Sequence, residues 1–223
     1  MLYVVPTPIG NLKDASYRSL EVLSEVDYIL AEDTRVTRFL LDHYKIDKKL
    51  KAFHAHNEHR YIDRIIEDLK NEETNIALVC DSGMPGVSDP GFLLIRACHQ
   101  HEIPLTVLPG PSAAITAVVA SGLPCDRFHF EGFLPHKKGR QTRLIYIAQL
   151  SHTVIIYESP HRLLKCLHQI AEHFGPERQI AVCKELSKKF ERITTGTIEE
   201  VIEFYAPFEK IKGEFVLVVA GVN

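Results

Sequence analysis

The chain has 223 residues, 45% of them hydrophobic and 25% charged, enough to bury one large core or two modest ones. Its 26 Lys and Arg against 29 Asp and Glu give a formal charge of −3, which argues against a protein held to nucleic acid by bulk basic charge alone. The longest apolar stretches, Ala113–Ala120 and Val216–Val222, fall far short of the ~20 residues that a membrane span requires, so no membrane association is expected.

The first residues, Met1-Leu2-Tyr3-Val4-Val5, carry no basic segment ahead of the apolar run and suggest a first strand rather than a secretion signal. Short non-alternating apolar runs at Leu2–Val5, Tyr28–Ala31, Ile76–Cys80 and Leu105–Leu108 predict strands buried on both faces. Between them, Asp14–Ser24, Tyr61–Lys70 and Gly91–His101 have helical spacing, with Asp14, Asp89 and Ser112 as expected N-caps and Pro90 in a first helical position. Repeated strand–helix units imply right-handed crossovers and a mostly parallel sheet. Beyond Ser121 the texture changes. Strands are predicted at Arg127–Phe130, Thr153–Tyr157, Ile180–Cys183, Phe190–Thr195 and Glu214–Ala220, and helices at Arg140–Gln149, Pro160–Phe174 and Thr197–Tyr205. Two α/β lobes, 1–112 and 113–223, fit this pattern better than one sheet. Cys80, Cys98, Cys125, Cys166 and Cys183 are odd in number and scattered, which favours a reducing, cytoplasmic setting.

Ligands of open α/β sheets bind beyond the carboxyl ends of the strands. Three predicted strands run there into Gly- and Pro-rich loops: Pro6–Leu12, Asp81–Gly91 and Pro109–Ser112. Taken together they predict a ligand cleft. Neither the P-loop nor the dinucleotide fingerprint occurs, and Ala114 stands where a nucleophile elbow needs glycine. Glu32, Asp33 and Arg35 follow the second strand, read equally as a site carboxylate pair or as an ion pair bracing a helix start. His54, His56 and His59 lack zinc-site spacing, so a polar loop leading into a helix is expected and no metal. The locally basic segments Lys45–Lys51, Lys137–Arg143 and Lys184–Arg192 are by composition solvated surface.

Nine pieces in register carry a resemblance across Leu2 to about Val219. They are Thr7–Leu12, Ala31–Arg35, His56–Glu58, Ser88–Gly91, Leu108–Ala114, Glu131–Pro135, Tyr157–Arg162, Lys184–Leu186 and Lys212–Glu214. The chain resembles the small-subunit ribosomal RNA (cytidine-2′-O)-methyltransferases, a branch of the tetrapyrrole methylase superfamily. The resemblance implies a two-lobed class III methyltransferase fold, a homodimer, and S-adenosylmethionine in the inter-domain cleft. By motif it assigns the cofactor to Pro8, Gly10, Asp81, Ser82, Gly83, Pro85, Ser112, Ala113 and Tyr157. It offers Asp33, Glu32 and Glu185 as candidates to activate a ribose hydroxyl. It turns Arg35, Lys137, Lys138, Arg140, Arg143, Lys184 and Lys188, with Lys189, into candidate contacts to ribosomal RNA phosphates, and Phe133 and Tyr157 into stacking residues. Lys184 stands where the family pattern expects arginine, and Met84–Val87 depart from its usual loop. A corrinoid or porphyrin precursor methyltransferase and a non-catalytic ribosome-assembly factor are the rival readings.

Overall fold

The computed structural model describes residues 1–222, and the chain divides into two compact units with the boundary between Ser112 and Ala113. In the first unit five short strands form a wholly parallel sheet. They are β1 (Leu2–Val4), β2 (Tyr28–Ala31), β3 (Leu50–Ala52), β4 (Ile76–Val79) and β5 (Leu105–Val107), in the order β3-β2-β4-β1-β5. Helices α1 (Tyr17–Glu25), α2 (Thr34–His43), α3 (Glu58–Lys70) and α4 (Phe92–Gln100) cover both faces. Alternate strand residues explain the continuous apolar runs. Leu2, Val4, Leu30, Ile76 and Leu78 pack with Ile65, Ile66 and Leu69 of α3 and Leu94 of α4. Ile29, Ala31, Ala77 and Val79 pack on the other face with Leu23 of α1 and Leu41 of α2. Each Val, Leu or Ile among them, fully buried, contributes about 1.5–3 kcal/mol.

In the second unit α5 (Ala113–Ala120) precedes β6 (Phe128–Phe133), α6 (Arg140–Ala148), β7 (Thr153–Glu158) and α7 (Leu163–Phe174). Next come β8 (Gln179–Lys184), β9 (Arg192–Thr197), α8 (Ile198–Tyr205) and β10 (Phe215–Val219). The strand order is β6-β7-β10-β8-β9; only β6 and β7 run parallel, and β10 lies antiparallel to both its neighbours. One face is sealed by α6, α7 and α8 around Leu144, Leu167, Ile170, Val201 and Leu217. Helix α5 packs on β10, and the Cys183 thiol approaches the Ala117 carbonyl at 3.9 Å.

Several local expectations need correction. Asp14 does not cap α1: it closes a 3-10 turn, Leu12–Asp14, and the Ser16 side chain accepts the Ser19 N–H at 3.0 Å instead. Nor do Asp89 and Pro90 start α4. The Pro90 carbonyl accepts from Gly86 N at 3.2 Å within the loop, and Gly91, at φ 130°, is the capping residue. Helix α2 and strand β3 were not apparent in the sequence. In α2 only Thr37, Leu40 and Leu41 are buried, while Val36 and Phe39 face outward, so the apolar stripe is narrow and mixed.

Candidate active site

The three predicted loops meet at the carboxyl edge of the first sheet, where β4, β1 and β5 are neighbours. Thr7 and Gly83 exchange backbone hydrogen bonds at 2.9 and 3.0 Å, joining the first loop to the second. The buried Thr7 hydroxyl donates to the Cys80 carbonyl at 3.1 Å. The third loop closes on the first through Gly110, where an added Cβ would stand 2.3 Å from Cγ of Pro6. No larger side chain fits without moving the loop. Gly110→Ala is therefore expected to cost roughly 1–3 kcal/mol of stability by overpacking. Thermal unfolding of the variant checks the first consequence, and calorimetry with S-adenosylmethionine checks for a loss of ligand binding.

Carboxylates gather on this edge. The Asp81 N–H reaches Glu32 Oε2 at 3.4 Å, and the Asp33 N–H donates to Asp81 Oδ1 at 2.9 Å, so the ends of β4 and β2 brace each other. Burial raises the Glu32 carboxyl above its ordinary range, with the Asp81 charge adding and His54 opposing. Burial also raises Asp81. Asp89, expected in the Asp81–Gly91 loop as a helix cap and given no role toward a ligand of its own, lies against the Cys80 thiol, and burial with the Glu32 charge pushes its carboxyl up to about 6. It is the site residue that sequence reasoning missed; the signal was a further carboxylate in the same Gly- and Pro-rich loop.

The sign of the pH effect follows. A folded carboxyl titrating near 6 holds a proton that the unfolded chain releases nearer 4, so Asp89 makes stability fall as pH rises through that window. Asp89→Asn is expected to flatten the fall, seen as a higher melting temperature than the wild type at pH 7 and little difference at pH 4.

Asp33 takes the bracing role. It caps α2 by accepting Arg35 N–H at 2.8 Å and grips the Arg35 guanidinium at 2.5–3.2 Å. Those bonds hold its carboxyl at about 2, a poor base. His54–Asn57 form a polar loop leading into α3, in which His59 already lies: Asn57 accepts His54 N–H at 2.8 Å and donates to the Ala52 carbonyl at 3.2 Å.

Other candidates lie in the second unit. Glu185, at φ 53°, is occupied: its Oε1 accepts from Glu214 N at 2.9 Å and Lys188 Nζ at 3.2 Å. These bonds, with the Lys188 and Lys184 charges, outweigh burial and lower its carboxyl. An added Cβ on Gly213, itself at φ 109°, would lie 2.7 Å from Glu185 Cγ. The Lys-Glu-Leu and Lys-Gly-Glu motifs thus form one structural lock, and Lys188 belongs to it through Glu214 at 2.9 Å. Arg140 must be withdrawn as an RNA contact. It is 8% exposed and bonded to Glu158 at 3.2 Å and Gln169 at 2.8 Å. Arg143 is paired with Glu131. Lys137, Lys138 and Lys189 are exposed, and Lys184 ends β8 half-buried. Tyr157 stands edge-on between Phe130 and Phe133, ring centres 5.2 and 5.5 Å away. Pro8, Gly10, Ser82 and Pro85 lie on the first unit's loops, Ser112 ends that unit, and Ala113 opens α5.

A parallel sheet with its loops gathered at the carboxyl edge, joined in sequence to a mixed five-stranded sheet, is a fold shared with known methylases. The chain superposes on uroporphyrin-III-C-methyltransferase from Thermus thermophilus with a TM-score of 0.66 at 21% identity, covering 98% of this chain and 93% of that one. For diphthine synthase the TM-score is 0.74 at 14% identity, with coverage of 99% and 89%. The family model for tetrapyrrole (corrin/porphyrin) methylases matches residues 1–202. The chain is 47% identical to ribosomal RNA small subunit methyltransferase I of Vibrio cholerae serotype O1 over 99% of its own length and 77% of that protein's. It is 48% identical to the protein of that name in Escherichia coli O157:H7, with the same coverage, and 48% identical to that of Xylella fastidiosa, spanning 81% of its length. The chain belongs to the tetrapyrrole methylase family and is a methyltransferase.

Proposed function

We propose that this protein transfers a methyl group from S-adenosylmethionine to the 2′-hydroxyl of a cytidine in small-subunit (16S) ribosomal RNA, acting as a cytoplasmic homodimer. The observation carrying this reading is the near full-length similarity to relatives named for small-subunit ribosomal RNA.

The first unit's donor set fits the cofactor. Glu32, Asp81 and Asp89 are each raised by burial first and then by a neighbouring carboxylate, Asp81 for Glu32, Asp33 for Asp81 and Glu32 for Asp89. A ligand bearing a sulfonium and an ammonium group relieves that repulsion. Pro8, Gly10, Asp81, Ser82, Gly83, Pro85 and Ser112 are its proposed binding residues; Ala113 and Tyr157 are added on the family resemblance. When bound, S-adenosylmethionine supplies an electrophilic methyl group for in-line displacement. The chain's own task is alignment and proton removal. Of the three candidates Glu32 suits the second best: burial raises its carboxyl, while side-chain cations hold Asp33 and Glu185 low. Lys137, Lys138, Lys184, Lys189 and Arg35 are the proposed phosphate contacts, with Arg143 and Lys188 contributing charge beside their partners.

Labelled methyl transfer tests the reading against its nearest rival. Small subunits from a strain lacking this gene and a porphyrin or corrin precursor are offered as acceptors in parallel. Incorporation into the subunits alone is expected, and incorporation into the precursor alone overturns the proposal.

A further inference from the structure

One pocket of the first unit extends from the proposed cofactor residues Pro8, Gly10 and Asp81 to helix α2, whose side chains the proposed mechanism does not use. It lies between the first loop and α2 and encloses about 160 Å³. Val36, Phe39 and Leu40 make its α2 part largely apolar, Thr37 lines it as well, and Pro8, Gly10 and Asp81, given above to the cofactor, form part of the lining. A single water needs only ~10–15 Å³ of such space, whereas drug-sized ligands take ~300 Å³ or more. The pocket therefore suits one small ring rather than stray solvent or a whole nucleotide.

Two side chains mark it as built for a ligand. The Thr37 hydroxyl has no hydrogen-bond partner, although the residue is only 2% exposed. A buried unpaired hydroxyl is destabilising. Phe39 is the converse, a large aromatic left 68% exposed on the pocket's flank. An aromatic face beside a lone hydroxyl is the combination that holds a nucleobase, by stacking and an edge hydrogen bond.

Position supplies the occupant. In a nucleoside the base sits on the sugar carbon adjacent to the one bearing the 2′-hydroxyl. If that hydroxyl is delivered to the Glu32–Asp81 edge, the base lies within one sugar's width of it, and this pocket borders Asp81. We propose that the pocket receives the unstacked base of the target cytidine, with Phe39 against the ring and the Thr37 hydroxyl on its edge. This rests on the RNA-methylating reading above and names the part of that site that recognises the base.

The test uses the full chain with Thr37→Val and Phe39→Ala. Valine keeps the shape and removes the orphan hydroxyl, so Thr37→Val is expected to raise the melting temperature by about 2–4 °C. The same change should weaken binding of unmethylated small subunits about tenfold. Phe39→Ala should weaken it about ten- to a hundredfold. In both, S-adenosylmethionine affinity and elution volume should match the wild type. Unchanged subunit affinity in both variants overturns the assignment. A parallel loss of S-adenosylmethionine affinity would give the pocket to the methyl donor, and a shifted elution volume would give it to a second copy of the chain.

A second arm does not depend on turnover. In saturation-transfer NMR with free cytidine, the ring protons should be saturated by the wild type and not by Phe39→Ala. No saturation by the wild type overturns the pocket even if the subunits are methylated. Saturation without any subunit methylation would keep the pocket and sink the wider functional reading instead.

Discussion

Glu158→Ala is expected to destabilise the second unit by roughly 3–5 kcal/mol, the cost of stranding a buried charge. The Glu158 carboxylate is 2% exposed and accepts from Arg140 Nη2 at 3.2 Å, Arg162 Nε at 2.8 Å and Ser159 N–H at 2.8 Å. Arg140, itself buried, would be left with only the Gln169 and Pro135 oxygens. A loss of that size is a large share of a typical domain's ~5–15 kcal/mol. Denaturant titration of the variant measures it. Pairing the change with Arg140→Met should recover much of the loss, because an apolar pair replaces a buried ionic one at little net cost. A single-variant loss below about 1 kcal/mol would show that the network is not desolvated as described. The Tyr-Glu-Ser-Pro-His-Arg motif thus owes two of its residues, Glu158 and Arg162, to architecture.

Glu32→Gln is expected to lower kcat by roughly 10²–10⁴, the usual yield of a positioned base, a larger effect than its loss of one charge has on S-adenosylmethionine affinity. The wild-type rate should fall on acidification with an apparent midpoint above the ordinary glutamate value, since burial raises this carboxyl. That acidic limb should vanish in the variant. Asp33→Asn is the matched control. Asparagine caps helices as well as aspartate, so α2 should persist and the rate should change several-fold at most. If Asp33→Asn removes the acidic limb and Glu32→Gln does not, the base is Asp33 and the Arg35 pair is broken in the working enzyme.

The first sheet was legible because its strands are buried on both faces, leaving continuous runs such as Ile76–Val79 that need only length to be recognised. The loops were legible for a related reason: glycine and proline mark where the chain turns sharply, and three such marks followed three strands. Helix α2 was hidden by its mixed face, in which Thr37 is buried and Phe39 is exposed. The helix caps went wrong one turn at a time. Asp14 and Asp89 are good capping residues, but a 3-10 turn and a loop hydrogen bond had already claimed their segments. Arg140 shows the main limit on reading the site. Among Lys137, Lys138 and Arg143 it looks like part of a basic patch, yet helix α6 turns its guanidinium inward to a glutamate 18 residues away in sequence. Local charge does not reveal direction; only the fold pairs Arg140 with Glu158. The same holds for Glu32, Asp33 and Asp81, where adjacent carboxylates differ in proton affinity because Asp33 is bonded to Arg35 while burial raises the other two.

The most direct test of the central claim is the chemical identity of the product. Small subunits from a strain lacking this gene are incubated with the protein and S-adenosylmethionine, and their RNA is digested to nucleosides and weighed by mass spectrometry. The expected product is 2′-O-methylcytidine at a single position, with the added mass on the ribose fragment. A methyl group on a base, or on several unrelated nucleotides, would contradict it.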